Sequence, residues 1–374
     1  MSYSLGIIGI GHWFERLYEG MLKADTIRLR HAASASGYDK KKEQLEKIGI
    51  TQADYYQING NEPIPDAFFR GVDIIHISDP NEFHAAQTLQ SLGNGKATIT
   101  EKTFGVNRKE FDEVTSYIRK NRLEGRVYLH LHYAHKLLTV YLADMLERFT
   151  SEYGKVVSSS ATFFEAAPPE MHRRRLWLFA PQNGGLFMDW IHPFEVYHAG
   201  ALAERIELRN AENYAVNPSY GTQYPTGIHA QAALYGKYFA HGAMAQVRIA
   251  KGIRPEYQKE AMRFMFEGGQ SLDLSFMHAE VEFMTRQRGT WELHEKVDGR
   301  VLDSACPQGP NSSDILVNDI AALCQGVNQG FKMADIDAIF ASQWIYQEKY
   351  ASSEPISDEG MVNGFVKEGL ENST

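Results

Sequence analysis

Leu5-Gly6-Ile7-Ile8-Gly9-Ile10-Gly11 decides the fold: a short apolar run closes on a Gly-x-Gly turn, and residues 15–24 follow with apolar positions at helical spacing. The run reads as a buried strand. A glycine turn set between strand and helix presents unpaired N–H groups at the positive end of a helix dipole, where a phosphate is favoured. Gly9, Gly11, His12 and Trp13 are therefore the expected cradle for the pyrophosphate of a dinucleotide. Position 14 should carry a third small residue for close strand–helix packing, and Phe14 stands there instead. The turn is accordingly expected to be looser than the usual one.

Working outward, strand-like runs at residues 28–35, 72–78 and 97–100 alternate with helical patterns at 40–48, 82–92 and 108–121. That alternation is the signature of βαβ units on a parallel sheet. Residues 1–127 thus read as a Rossmann-type dinucleotide-binding domain. At the end of its second strand the NAD fingerprint expects a carboxylate, whereas the chain has Ala35-Ser36-Gly37-Tyr38-Asp39-Lys40-Lys41-Lys42. Ser36 with Lys40 or Lys41 suits a 2′-phosphate through charge-assisted hydrogen bonds, which tilts NAD(P) towards NADP. The bland alternative is a solvated lysine face with Asp39 as the helix N-cap.

Beyond residue 126 the texture changes. A helix is expected over 137–150, strands over 156–165, 229–235, 243–250, 261–267 and 270–276, and closing helices over 314–325 and 333–350. Gly268-Gly269 permits a tight turn, so hairpins are favoured over crossovers. Residues 128–374 read as an α+β domain for substrate and oligomerisation, with a mostly antiparallel, open-faced sheet. That face predicts a homodimer or homotetramer.

Composition narrows the function classes. The 374 residues are 43% hydrophobic, enough for two ordinary cores, and the formal charge of −9 disfavours nucleic acid as a partner. Two cysteines, Cys306 and Cys324, are too few for a disulfide framework, which fits a cytoplasmic protein. The start lacks a basic stretch followed by a sustained apolar one, and no run approaches a membrane span of about 18 apolar residues, so no membrane partner is expected.

Three stretches resemble one family: Gly6-Ile-Ile-Gly-Ile-Gly11, Val72-Asp-Ile-Ile-His-Ile-Ser-Asp-Pro-Asn-Glu-Phe-His84 and Thr98-Ile-Thr-Glu-Lys-Thr-Phe-Gly105. With Asn183-Gly-Gly-Leu-Phe-Met-Asp-Trp-Ile-His192 and the Glu354-Pro355-Ile356 tail, they are similar to the glucose-fructose oxidoreductase/inositol dehydrogenase family over nearly the whole chain. The resemblance implies an NAD(P)-dependent dehydrogenase or reductase acting on a sugar or cyclitol. It also implies cofactor contacts from Ser78, Asp79, Pro80, Asn81, His84 and Glu101. The family's Glu-Lys-Pro motif becomes Glu101-Lys102-Thr103, and Asp189 and His192 stand three apart instead of four.

Hydride transfer at a secondary alcohol needs a group to take the hydroxyl proton and donors for the developing oxyanion. Lys102, His192 and Asp189 are the candidate catalytic residues: the ammonium stabilises an alkoxide, the imidazole cycles near neutrality, and the carboxylate orients it or binds the same hydroxyl. His132, Tyr133 and Lys136 are candidate sugar or anion contacts. Arg173, Arg174 and Trp177 add guanidinium forks and a stacking surface for a substrate carrying an anionic group. His130, His132 and His135 lack a further ligand at fixed spacing, so no metal is expected. Two further readings stay open on the enzyme side: a glycosidase that oxidises the ring transiently to allow elimination, and a hexose-phosphate dehydrogenase echoed by His132-Tyr133-Ala-His135-Lys136. A non-catalytic sugar or cofactor sensor is the third class.

Overall fold

Each strand-like run of the first third becomes a strand of one parallel sheet. The computed structural model describes residues 3–11, 14, 27–47, 49–59, 62–166, 179, 185–217, 225–277, 280–287, 290–298 and 333–371. These divide into two units, with the chain passing from the first to the second between His132 and Tyr133.

In the first unit, β1 (Tyr3–Ile8), β2 (Ile27–Ser34), β3 (Tyr55–Gln57), β4 (Ile74–Ile77), β5 (Ala97–Glu101) and β6 (Val127–His130) lie in the order β3-β2-β1-β4-β5-β6. The described helices are α1 (Tyr38–Glu46), the short α2 (Asp66–Phe69), α3 (Asn81–Gly93) and α4 (Arg108–Asn121). Alternating side chains send Leu5, Ile7 and Ile74 to one core, and Ile8, Ile75 and Ile77 to another with Phe68. Both faces of the sheet are thus buried, as a parallel sheet requires. Strand β6 pairs in register with β5, so the sheet takes in residues that the change of texture assigns to the second domain. The short β3 has no counterpart among the expected strands.

Phe14 corrects one expectation. Its ring is 2% exposed and belongs to the core with Leu5, Ile7 and Leu45, so the bulk at this position is packed inward. The turn is tight at Gly9, where φ is 95° and an added Cβ would stand 2.4 Å from the Asp79 amide nitrogen and 2.6 Å from the Ser78 carbonyl carbon. At Gly11 a Cβ would meet nothing within 4 Å among the described residues. A second correction concerns α1: its N-cap is Gly37, without a side-chain bond, and Asp39 sits inside the first turn.

In the second unit, β7 (Val156–Ala166), β8 (Ala203–Tyr214), β9 (Gly227–Gly236), β10 (Phe239–Ile253), β11 (Lys259–Phe266), β12 (Gln270–Ser275), β13 (Glu280–Gln287) and β14 (Thr290–Asp298) form a sheet ordered β14-β13-β12-β11-β7-β10-β9-β8. It is antiparallel except between β7 and β10, a parallel pair that local hairpin reasoning does not anticipate. The long helix α5 (Leu137–Tyr153) precedes β7, and α6 (Ile191–Glu195) runs into a π-helical turn at Val196–Gly200. On one face, the Ser159 hydroxyl meets the Tyr197 hydroxyl at 2.9 Å, and Tyr197 packs edge-on against Phe264.

The chain closes with α7 (Met333–Lys349) and α8 (Glu359–Glu371). Helix α8, absent from the sequence-based expectations, stacks Phe365 on Tyr214 and Phe164 and accepts a bond from Thr162 at its last turn. Thr162 and Phe164 alternate with Ser159, so α8 covers part of the opposite sheet face, which is less open than expected. Ile356 of the closing tail bonds across Asn213 and Ala215 and bridges to Tyr214. The predicted helix at 314–325 lies outside the described residues. Among those described, no helix is long and apolar enough to cross a membrane.

The contrast between the two glycines is testable. Gly9→Ala should cost more than about 2 kcal/mol in denaturant unfolding, because backbone cannot yield to the new methyl and the φ is left-handed. Gly11→Ala should stay within about 0.5 kcal/mol of the parent.

Candidate functional site

At the C-terminal ends of the first unit's strands, three segments are tied together through main chain. Gly9 N–H donates to Ala33 O at 2.9 Å, Ser78 N–H donates to Ile8 O at 2.8 Å, and the Ser78 hydroxyl donates to Gly9 O at 2.9 Å. Ser78 therefore braces the glycine turn. Asp79 follows, with its carboxylate held by Gln87 Nε2 at 2.7 Å; burial raises its pKa and the Gln87 bond partly offsets that. Pro80 caps α3 and Asn81 begins it. Strand order reverses between β1 and β4, so Gly9, Gly11, Ser78 and Asp79 sit at the topological switch point where open α/β sheets bind ligands.

Ser36 lies two residues past the end of the second strand, its N–H directed at the Ser34 hydroxyl at 3.3 Å and its carbonyl accepting from Tyr55. Lys40 is exposed and Lys41 half-buried on the first turns of α1. The switch point and a strand end without a carboxylate fit a dinucleotide, and Ser36, Lys40 and Lys41 offer groups for a 2′-phosphate.

Strand β5 delivers Glu101 and Lys102. Lys102 is half-buried just past the strand end, and the peptide joining it to Thr103 is cis. The Thr103 hydroxyl donates to Gly105 O and accepts from Gly105 N–H at 3.0 Å, closing the turn. Glu101 is 9% exposed and meets His76 Nε2 at 3.3 Å. Burial alone would raise its pKa, but His130, His76 and His84 together outweigh burial and hold the carboxyl below its usual range. His84 is 1% exposed, with both ring nitrogens on main-chain carbonyls. Glu101 and His84, expected as cofactor contacts, are both buried, Glu101 against His76 and His84 against the two main-chain carbonyls. His130 stacks on His132 with ring centroids 6.5 Å apart, and His132 itself is half-buried. Among the described residues no group of three or more His, Cys, Asp and Glu is arranged for a metal.

The second unit carries a separate cluster around His192, which is 8% exposed at the start of α6. Its Nδ1 is 3.1 Å from Glu195 Oε1 and its Nε2 is 3.5 Å from Asp189 Oδ1. Asp189 also pairs with Lys251, which reaches Glu165 at 3.1 Å across the parallel β7–β10 pair. Glu195 is fully buried, and its other oxygen accepts the Tyr133 and Ala134 N–H groups at 2.8 and 3.3 Å. Glu195 is not among the residues singled out from sequence, although His192-x-x-Glu195 is a one-turn helical spacing that puts both on one face.

Tyr133 packs its ring 4.5 Å from that of His192, and Lys136 Nζ lies 3.7 Å over the same ring. Lys136 pairs with Glu260 at 3.1 Å. Burial lowers the Lys136 pKa against the pull of Glu260, while Lys136 and Tyr133 outweigh burial to lower that of Glu260. Burial and Glu260 push the Tyr133 phenol well above its usual value, so it serves as a hydrogen-bonding group. Lys136, expected as a sugar or anion contact, is ion-paired with Glu260. His12, Trp13, Arg173, Arg174 and Trp177 lie outside the described residues.

No family model matches the chain, and no curated protein sequence does. Solved structures do. A UDP-N-acetylglucosamine 3-dehydrogenase, GnnA from Acidithiobacillus ferrooxidans, aligns over 95% of this chain and 98% of its own with a TM-score of 0.65 at 15% identity. The 3-ketoreductase KijD10 from Actinomadura kijaniata, solved with NADP and TDP-benzene, covers 96% of this chain and 99% of its own at TM-score 0.69 and 16% identity. A putative oxidoreductase from Erwinia carotovora atroseptica reaches 0.70 at 12% identity, with 94% and 99% covered. The fold of this chain, a Rossmann-type parallel sheet followed by a large mostly antiparallel sheet, is the fold of these proteins.

Three donors depend on Glu195. Glu195→Ala should destabilise the protein by about 2–4 kcal/mol, because it orphans two buried N–H groups and the His192 ring. Glu195→Gln should cost less than half as much in the same urea titration, since its amide oxygen still accepts one of them.

Proposed function

We propose that this protein is an NAD(P)-dependent oxidoreductase, with NADP favoured, that transfers a hydride at a secondary ring hydroxyl of a sugar or cyclitol. The observation that carries the reading is Lys102 at the C-terminal end of β5, in the same sheet whose β1–β4 switch point holds Gly9 and Gly11. The fold shared with a sugar-nucleotide 3-dehydrogenase and a 3-ketoreductase solved with NADP supports it. Ser36, Lys40 and Lys41 would hold the 2′-phosphate, and the backbone at Gly9 and Gly11 the pyrophosphate. The bound nicotinamide supplies a hydride acceptor.

The chain's own residues manage the proton. In the oxidation direction the substrate O–H proton passes to Lys102 in its neutral amine form, or to His192, as the carbon loses hydride; where His192 takes it, the ammonium of Lys102 steadies the developing alkoxide. Glu195 fixes the His192 ring by binding Nδ1, which leaves Nε2 on the side of Asp189. Asp189, balanced by Lys251, orients a substrate hydroxyl. His132 and the Arg173–Trp177 segment contact the remaining hydroxyls or an anionic substituent. Self-association into a homodimer or homotetramer through the part of the second sheet not covered by α8 belongs to the same proposal.

A panel of sugars, cyclitols and sugar nucleotides followed by nicotinamide absorbance should reveal turnover that consumes one cofactor equivalent per substrate. Lys102→Ala and His192→Ala should each lower kcat about 10²–10⁴-fold while cofactor affinity stays within a few fold. Both variants retaining more than about a tenth of the parent rate would remove these residues from the reaction. Aglycone release from glycosides at constant absorbance would replace net oxidoreduction with redox-assisted cleavage.

A further inference from the structure

His84 sits one turn into α3, 1% exposed. Its Nδ1 lies 2.8 Å from the main-chain oxygen of Thr103, and its Nε2 lies 2.7 Å from the main-chain oxygen of Asp79. Both partners are acceptors. A neutral imidazole has one N–H and one lone pair, so either tautomer would aim a lone pair at a carbonyl oxygen inside hydrogen-bond distance. The doubly protonated ring, with two N–H groups, satisfies both.

A buried cation needs a counter-charge, and the charged and titratable groups around His84 supply one. Glu101 on β5 is buried and held in its ionised form by the neighbouring histidines. His76 on β4 and His130 on β6 are the other members of that cluster, and the Asp79 carboxylate is turned to Gln87. Burial opposes the charge on His84 and pulls its pKa down, as His76 does more weakly; the two carbonyls and Glu101 act the other way. Burial is the largest of these and the balance is downward; what favours the charge is the geometry, two acceptor oxygens on the two ring nitrogens.

The two carbonyls belong to the turn after β4 and to the residue that follows Lys102. We propose that His84 is a positioning residue: as a buried imidazolium balanced by Glu101, it pins the Asp79 and Thr103 carbonyls to α3 and so fixes where the Lys102 amine stands. This rests on the reading of Lys102 as proton carrier. Releasing the Thr103 carbonyl would let Lys102 drift, and a displacement of about 1 Å at a reacting group costs on the order of 10²-fold in rate.

The test is the protonation of the ring itself. In ¹⁵N-histidine-labelled protein at about pH 7, long-range ¹H–¹⁵N spectra, assigned by the resonance missing from His84→Gln, should show both His84 nitrogens protonated. One protonated and one bare nitrogen would overturn the proposal. If His84→Gln does not fold, neutron diffraction on the parent protein distinguishes the same two states, by deuterium at both nitrogens or at one. Where the variant folds, kcat should fall at least about tenfold with the cofactor KM within a few fold, and an unchanged kcat would equally overturn the positioning role. The ring measurement needs neither substrate nor cofactor, so failure to find a sugar substrate would leave it standing.

Discussion

The missing side chain of Gly9 is the constraint on which the first unit turns. With a hydrogen atom in place of Cβ, the end of β1 comes against the Ser78–Asp79 backbone, and bonds from Gly9 to Ala33 and from Ser78 to Ile8 and Gly9 join β2, β1 and β4 at one crest. Any larger residue would push β4 away from β1 at its C-terminal end. That would move Asp79, whose carbonyl is one anchor of His84, and through His84 the Thr103 carbonyl beside Lys102. A single backbone approach therefore links the glycine turn to the lysine, although more than ninety residues separate them in the chain.

Three carboxylates, two of them buried and Glu260 half-buried, stand beside the candidate residues. Glu101 precedes Lys102 and is compensated by three histidines; Glu195 holds His192 and accepts two further N–H groups; Glu260 faces both Lys136 and Tyr133. Burying a carboxylate is costly unless its oxygens are satisfied, and all three are. Such pairs add little net stability compared with apolar packing. Their contribution is orientation: the His192 ring on Glu195 and the Lys136 ammonium on Glu260 are held against fixed carboxylates and lose rotamer freedom.

The parallel sheet was legible because its information is local. Runs such as Leu5 to Ile8 and Ile74 to Ile77 are apolar on both faces, and helical patterns separate them at βαβ distances. Lys102, Asp189 and His192 stand out as candidates through motifs. What was not legible depends on contacts between distant segments. The parallel β7–β10 pairing joins strands about ninety residues apart and leaves no mark on either one. At Phe14 the motif asks for a small residue, whereas the core has room for the ring. His84 and Glu101 lie within the motifs, but their burial and their bonds to main-chain carbonyls and to His76 are what sequence does not reveal.

The two departures from the resembling family are each absorbed locally. Where the family has proline after the lysine, Thr103 uses its hydroxyl to bridge both the N–H and the carbonyl of Gly105, so a ring constraint is replaced by hydrogen bonds that close the same turn. Where Asp and His are commonly four apart, Asp189 and His192 at three still face each other, and Lys251 anchors the carboxylate from the sheet. With Asp189 engaged by Lys251, the shorter bond to the His192 ring comes from Glu195 on the far side. Orientation of the imidazole thus falls to a residue one helical turn later, fixed by the backbone of α6, with Asp189 facing the other ring nitrogen.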